Sequence, residues 1–91
     1  MRARKTRVSS SLLNAPAAMI VCGDLRQALD GLESYMLQDV SAAVENILLA
    51  ASALGLGSCW LGIHPRRERV HSVRALFRLP DHIVPVAGIA L

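Results

Sequence analysis

The chain has 91 residues, enough for one small domain, and a domain of that size buries only about 60–65% of the surface its unfolded chain exposes. Hydrophobic residues make up 53% and charged residues 19%. This excludes a disordered polar chain and points to a core shared with a partner chain or with a further part of the same polypeptide. The net charge of +3 misdescribes the body: Arg2, Arg4, Lys5 and Arg7 hold four of the ten positive charges, and from residue 8 onward six basic side chains face seven acidic ones. The basic character belongs to an arm, residues 1–12, ahead of a domain over residues 13–91. Tyr35, Trp60 and Phe77 are the whole aromatic complement, too few for base-stacking platforms, so no nucleic-acid partner is expected.

In chain order, residues 15–23 form a short apolar run opened by Pro16 and closed by Gly23 and Asp24, the pattern of a buried strand. A loop or short helix follows over residues 24–34. Val40, Ala43, Val44, Ile47, Leu48, Ala51 and Leu54 then recur at helical spacing. Asp39 near the start suits the helix dipole and Gly55 stands where a C-terminal cap belongs, so a helix is predicted over 37–54. It is apolar over more than half its girth, as a helix buried in a core or an interface would be. Residues 58–63 read as a second strand. Pro65 opens a second helix with Val70, Val73, Leu76 and Phe77 as its inner face and Arg66, Arg67, Glu68, Arg69 and Arg74 outside. It stops at Leu79-Pro80, and residues 83–91 read as a third strand. The order strand, helix, strand, helix, strand gives an α+β fold, an α/β-type layering of sheet and packed helices.

The chemistry-bearing residues are sparse. Cys22 and Cys59 sit alone in apolar runs, which fits buried thiols in a reducing compartment. No signal-peptide core precedes Pro16, so a cytoplasmic protein is expected. Asn46 to Ile63 is a run of uncharged residues about as long as a membrane span, with Arg66, Arg67 and Arg69 as a basic flank. Its glycines and its change of period argue against a spanning helix, and no membrane partner is expected. Gly55-Leu56-Gly57 lacks the third glycine of a dinucleotide fingerprint and precedes a strand. His64, His71 and His82 lack the pairing a zinc site requires, so no metal site is expected. Ser9-Ser10-Ser11 shows no base nearby. Asn46 falls on the apolar stretch of the long helix, where its amide needs a partner; packing and a cofactor-side role both remain open. No catalytic residue can be assigned from the residues alone.

Several segments together resemble the nitroreductase family. They are residues 15–22 (APAAMIVC), 38–43 (QDVSAA), 45–51 (ENILLAA), 53–62 (ALGLGSCWLG) and 79–87 (LPDHIVPVA). The resemblance implies a nitroreductase-like sheet with packed helices and an FMN-dependent oxidoreductase. NAD(P)H would reduce the flavin, and a nitro compound, a quinone or a similar small-molecule acceptor would reoxidise it. It also implies a homodimer built on the long helix, with flavin sites at the interface. The strand after that helix would bring its backbone against the flavin ring, which places Trp60, Leu61 and Gly62 as cofactor-binding residues, Gly62 permitting close approach.

Family members also open with an Arg-Arg-Ser type segment that grips the FMN phosphate, and they carry a basic residue beyond the last strand. Neither matches here, so the expectation is an internal or C-terminal portion of such a protein. The alternative is a non-catalytic truncated remnant that dimerises through helix 37–54 without binding flavin.

Overall fold

A computed structural model describes residues 15–91; the basic arm 1–12, with its serines, lies outside the described residues. The elements are β1 (Ala18–Asp24), α1 (Glu33–Ala53), β2 (Cys59–Gly62), α2 (Arg67–Phe77) and β3 (Ile83–Ala90), the order expected from the sequence. Two 3-10 turns, Leu25–Gln27 and Leu29–Gly31, fill the segment between β1 and α1. The first is capped by Asp24, whose carboxylate accepts from the Arg26 N–H at 2.9 Å.

Helix α1 starts at Glu33, four residues before the predicted start at 37. The apolar row begins earlier than Val40: Met36, Val40 and Val44 are all buried and spaced by four, so one more turn is worth forming. Its end follows the sequence reading. Gly55 takes φ +78°, its N–H donates to the Ser52 carbonyl at 3.0 Å and the Leu56 N–H to the Ala51 carbonyl at 2.8 Å, the paired bonds of a Schellman cap. The uncharged run 46–63 is therefore split between helix, cap and strand. No helix among the described residues is long and apolar enough to cross a membrane.

The sheet order is β1-β3-β2, with β3 antiparallel to both neighbours. Strands β1 and β2 thus run the same way on either side of β3, joined by α1 as a split β-α-β unit. The β1–β3 register shifts between Val21 and Cys22, where Val86 is the extra residue opposite. One face of the sheet packs on α1: Met36, Val40 and Val44 meet Val84, Val86, Ala87 and Ile89 in one cluster, with Val21 and Trp60 against it. Gly23 lies close beneath α1, where a Cβ would overlap the Met36 side chain and crowd Val40.

The other face carries Ile20, Leu61 and Gly88, whose neighbourhood is shown by the space beside Gly88. Helix α2 lies on this side: Phe77 and Leu79 share a cavity of about 440 Å³ with Ala18, Ile20 and Cys22. The inner face predicted for α2 holds only in part. Val70 and Val73 are half-buried, whereas Leu76 and Phe77 are exposed, Phe77 only bordering the cavity over β1. Asn46 also differs from expectation. It is exposed, on the side of α1 turned from the sheet, so its amide needs no buried partner within the chain.

Candidate functional site

Among the described residues strand β2 is a sheet edge, and the alternation of an antiparallel ladder decides which of its backbone groups face outward. The Ile63 N–H donates to the Val86 carbonyl at 3.3 Å, and on the far side of β3 the Leu91 N–H donates to the Ala17 carbonyl at 3.0 Å. With Leu61 opposite Gly88 and Cys59 opposite Ala90, the bonds from β3 to β2 fall at Leu61 and Cys59. Trp60 and Gly62 therefore turn their backbone groups to the free edge.

The three residues singled out in the sequence consequently play different parts. Gly62 stands at the edge, and a Cβ built on it meets nothing within 4 Å. Trp60 offers its backbone to the edge while its half-buried indole packs against the α1 core cluster. Leu61 is 2% exposed and its backbone is spent on Gly88. It anchors the strand, its backbone turned to β3 and not to the outer edge.

Two contacts brace this edge. Arg69 on α2 donates from Nη1 to the Gly62 carbonyl at 2.8 Å. His64, just past the strand, places Nε2 3.5 Å from Oε1 of Glu33 in the first turn of α1, and its N–H donates to the Val86 carbonyl at 3.0 Å. The sequence reading put Arg69 among the solvent-facing side chains of α2. Its spacing carried a usable signal: Arg69 and Arg74 flank Val70 and Val73 at helical distance, so both guanidinium groups leave the helix beside its inward stripe.

Cys22 lies elsewhere, on β1, and lines two cavities, the one beside Phe77 and another of about 250 Å³ with Asp24, Gln27, Met36 and Asp39. Burial pushes its thiol up from the ordinary value and the Arg74 charge draws it part-way back. At Asp24 slight burial acts upward, but the Arg26 hydrogen bonds and the charges of Arg26 and His82 outweigh it and hold the carboxyl below the usual range. Neither cavity includes Trp60, Leu61 or Gly62. Among the described residues no group of three or more His, Cys, Asp or Glu is placed to hold a metal ion.

The edge of β2 suits a planar heteroaromatic group. Backbone donors and acceptors repeat along it, and the space over Gly62 is open to a ring that a side chain would block. FMN fits these residues at its ring edge.

The profile of the Nitroreductase family matches residues 3–91. A Methanothermobacter thermautotrophicus protein named "Putative NADH dehydrogenase/NAD(P)H nitroreductase" is 45% identical over 78 residues, which is 86% of this chain and 40% of that protein. An "FMN reductase (NADPH)" from Bacillus subtilis is 30% identical over 69 residues, 74% of this chain and 27% of that protein. Among solved structures, a Bacteroides thetaiotaomicron protein bearing the same name as the archaeal relative superposes with a TM-score of 0.73 at 33% identity, covering 98% of this chain and 55% of that one. The chain thus spans less than half the length of these curated relatives.

Proposed function

The chain belongs to the nitroreductase family, and from that premise we propose that it provides the flavin edge and the helical dimer surface of an FMN-dependent NAD(P)H oxidoreductase. The observation that carries this reading is the free edge of β2, where Trp60 and Gly62 turn backbone groups outward and open space lies over Gly62. When bound, FMN supplies the chemistry, accepting a hydride from NAD(P)H and passing electrons to a nitro compound, a quinone or a similar small acceptor. The protein's part is orientation. The outward groups of Trp60 and the Gly62 N–H would hold the rim of the ring, Leu61 anchors the strand in the sheet, and the indole of Trp60 packs the strand against the α1 cluster.

The outer face of α1 supports a homodimer. Leu49 and Leu54 are 59% and 76% exposed, with Ala50 and Ala53 exposed between them. In such a small domain this is apolar surface that a second copy of the helix would cover.

An FMN fluorescence titration of the full chain, with sedimentation velocity in parallel, tests the reading. Saturable binding by a dimer is expected. Gly62→Val should weaken FMN by about tenfold or more while leaving the dimer and the fold intact, because the added side chain enters space empty of protein. A dimer that binds no FMN would favour the alternative, a scaffold that associates without chemistry. Equal FMN affinity in Gly62→Val would remove the ring from this edge.

A further inference from the structure

Strand β2 ends at a residue poorly suited to hold its own conformation. Gly62 has no side chain to pack and a wide choice of backbone angles, and among the described residues no strand lies on its outer side to fix its peptide. Two bonds do so instead. The Gly62–Ile63 peptide is gripped at its nitrogen by the Val86 carbonyl, 3.3 Å away, and at its oxygen by the Arg69 guanidinium at 2.8 Å. We infer that Arg69 is a positioning residue for the proposed flavin edge, holding the Gly62 carbonyl so that the neighbouring backbone N–H is presented to the ring.

The inference rests on the flavin reading above and adds two things to it. The first concerns what the edge offers. An unaltered edge alternates donors and acceptors. With the Gly62 carbonyl taken by Arg69, the end of β2 keeps its donor and loses its acceptor, which matches a ligand whose rim carries ring nitrogens and carbonyl oxygens. The second concerns charge. Arg69 is half-buried, and among the described residues no carboxylate forms an ion pair with it. Its positive charge lies beside the edge with no ion-pair partner among the described residues and favours an electron-rich partner.

The test uses the full chain and FMN itself, comparing wild type with Arg69→Met, Arg69→Lys and the exposed control Arg67→Met. Removing a charge-assisted bond to the presented peptide should weaken FMN about tenfold or more in Arg69→Met. Arg69→Lys, which keeps a cationic donor, should recover most of the affinity, and Arg67→Met should match wild type. At saturation the visible absorption of the bound flavin should shift in Arg69→Met and return in Arg69→Lys. Amide exchange without FMN should speed up at Ile63 in Arg69→Met alone, which follows the peptide directly.

Wild-type FMN affinity and spectrum in Arg69→Met would overturn the inference and leave the flavin reading standing. A loss of affinity that follows a loss of thermal stability, with no rescue by Arg69→Lys, would reduce Arg69 to a structural bond and overturn it too. Wild type that binds no FMN would take down the flavin reading and this inference together.

Discussion

The two helices cover opposite faces of the same three-stranded sheet and are attached by different physics. Helix α1 buries Met36, Val40, Val44 and Ala51 and is held by apolar contact with Val84, Val86, Ala87 and Ile89. Helix α2 buries no residue completely. Its firmest polar attachments are two guanidinium groups, Arg69 on the Gly62 carbonyl and Arg74 on the carbonyls of Pro80 and Ile83 at 2.6 and 2.7 Å. Apolar burial is strong and non-directional. Bonds from a planar cation are weaker in sum but fix the orientation of the peptides they reach. One helix therefore supplies stability to the sheet, and the other sets the geometry of its loops and edge.

Truncating the apolar attachment should have the largest effect. Met36 is 3% exposed and lies over Gly23, so Met36→Ala should cost about 3 kcal/mol in urea unfolding. The same contact predicts a coupling. Gly23→Ala alone forces its new Cβ against Met36 and should destabilise, whereas in the Met36→Ala background only the Val40 contact remains and the glycine substitution should cost markedly less. Additive losses in the double variant would show that α1 does not sit on β1 in this way.

Cutting the polar attachment should cost less and change something more local. Arg74→Met removes two charge-assisted bonds at a partly exposed position, for about 2 kcal/mol. It also removes the charge that draws the Cys22 thiol downward. Cys22 should then react more slowly with iodoacetamide near the ordinary thiol pKa of about 8.5. A stability loss without a change in alkylation rate would mean that α2 does not bring Arg74 to the second face of the sheet.

The contrast between the helices also explains what the sequence made legible. Apolar periodicity marked α1, and Gly55 marked its end, because both follow from local spacing and a backbone angle. The three strands could be read from short apolar runs bounded by Pro16, Pro65 and Pro80. The expectation that residues 60–62 line a flavin came only from family resemblance. Which of Trp60, Leu61 and Gly62 turn their backbone outward could not be read, since the parity of the β2 ladder is set by β3, more than twenty residues downstream. Arg69 and Arg74 were misplaced for a related reason. Hydrophobic pattern treats every arginine as solvent-facing, while a long side chain at the flank of an apolar stripe can turn inward to a carbonyl that only the tertiary fold brings near. The exposed Leu76 and Phe77 show the converse limit, because period alone does not tell which apolar positions of a helix the rest of the fold covers.

The smallest predicted effect lies at the end of α2 and has the opposite sign. Arg78 closes the helix in the left-handed region at φ +54°, a conformation that costs an ordinary L-residue about 1 kcal/mol. The corresponding cap of α1 uses Gly55 at φ +78°. The chain accepts the strain because the closing turn brings the Leu79 N–H onto the Arg74 carbonyl at 3.0 Å, next to the loop carbonyls that the Arg74 side chain holds. Arg78 is exposed, and among the described residues no carboxylate pairs with it, so replacing it removes strain without removing an ion pair. Arg78→Gly should therefore stabilise the protein by about 0.5–1 kcal/mol despite the greater freedom glycine gives the unfolded chain. FMN affinity should remain unchanged, since Arg69 lies more than two turns away along the helix. A destabilised Arg78→Gly would mean that the α2 terminus is held by its side chain, making the polar attachment of this helix more extensive than two guanidinium groups.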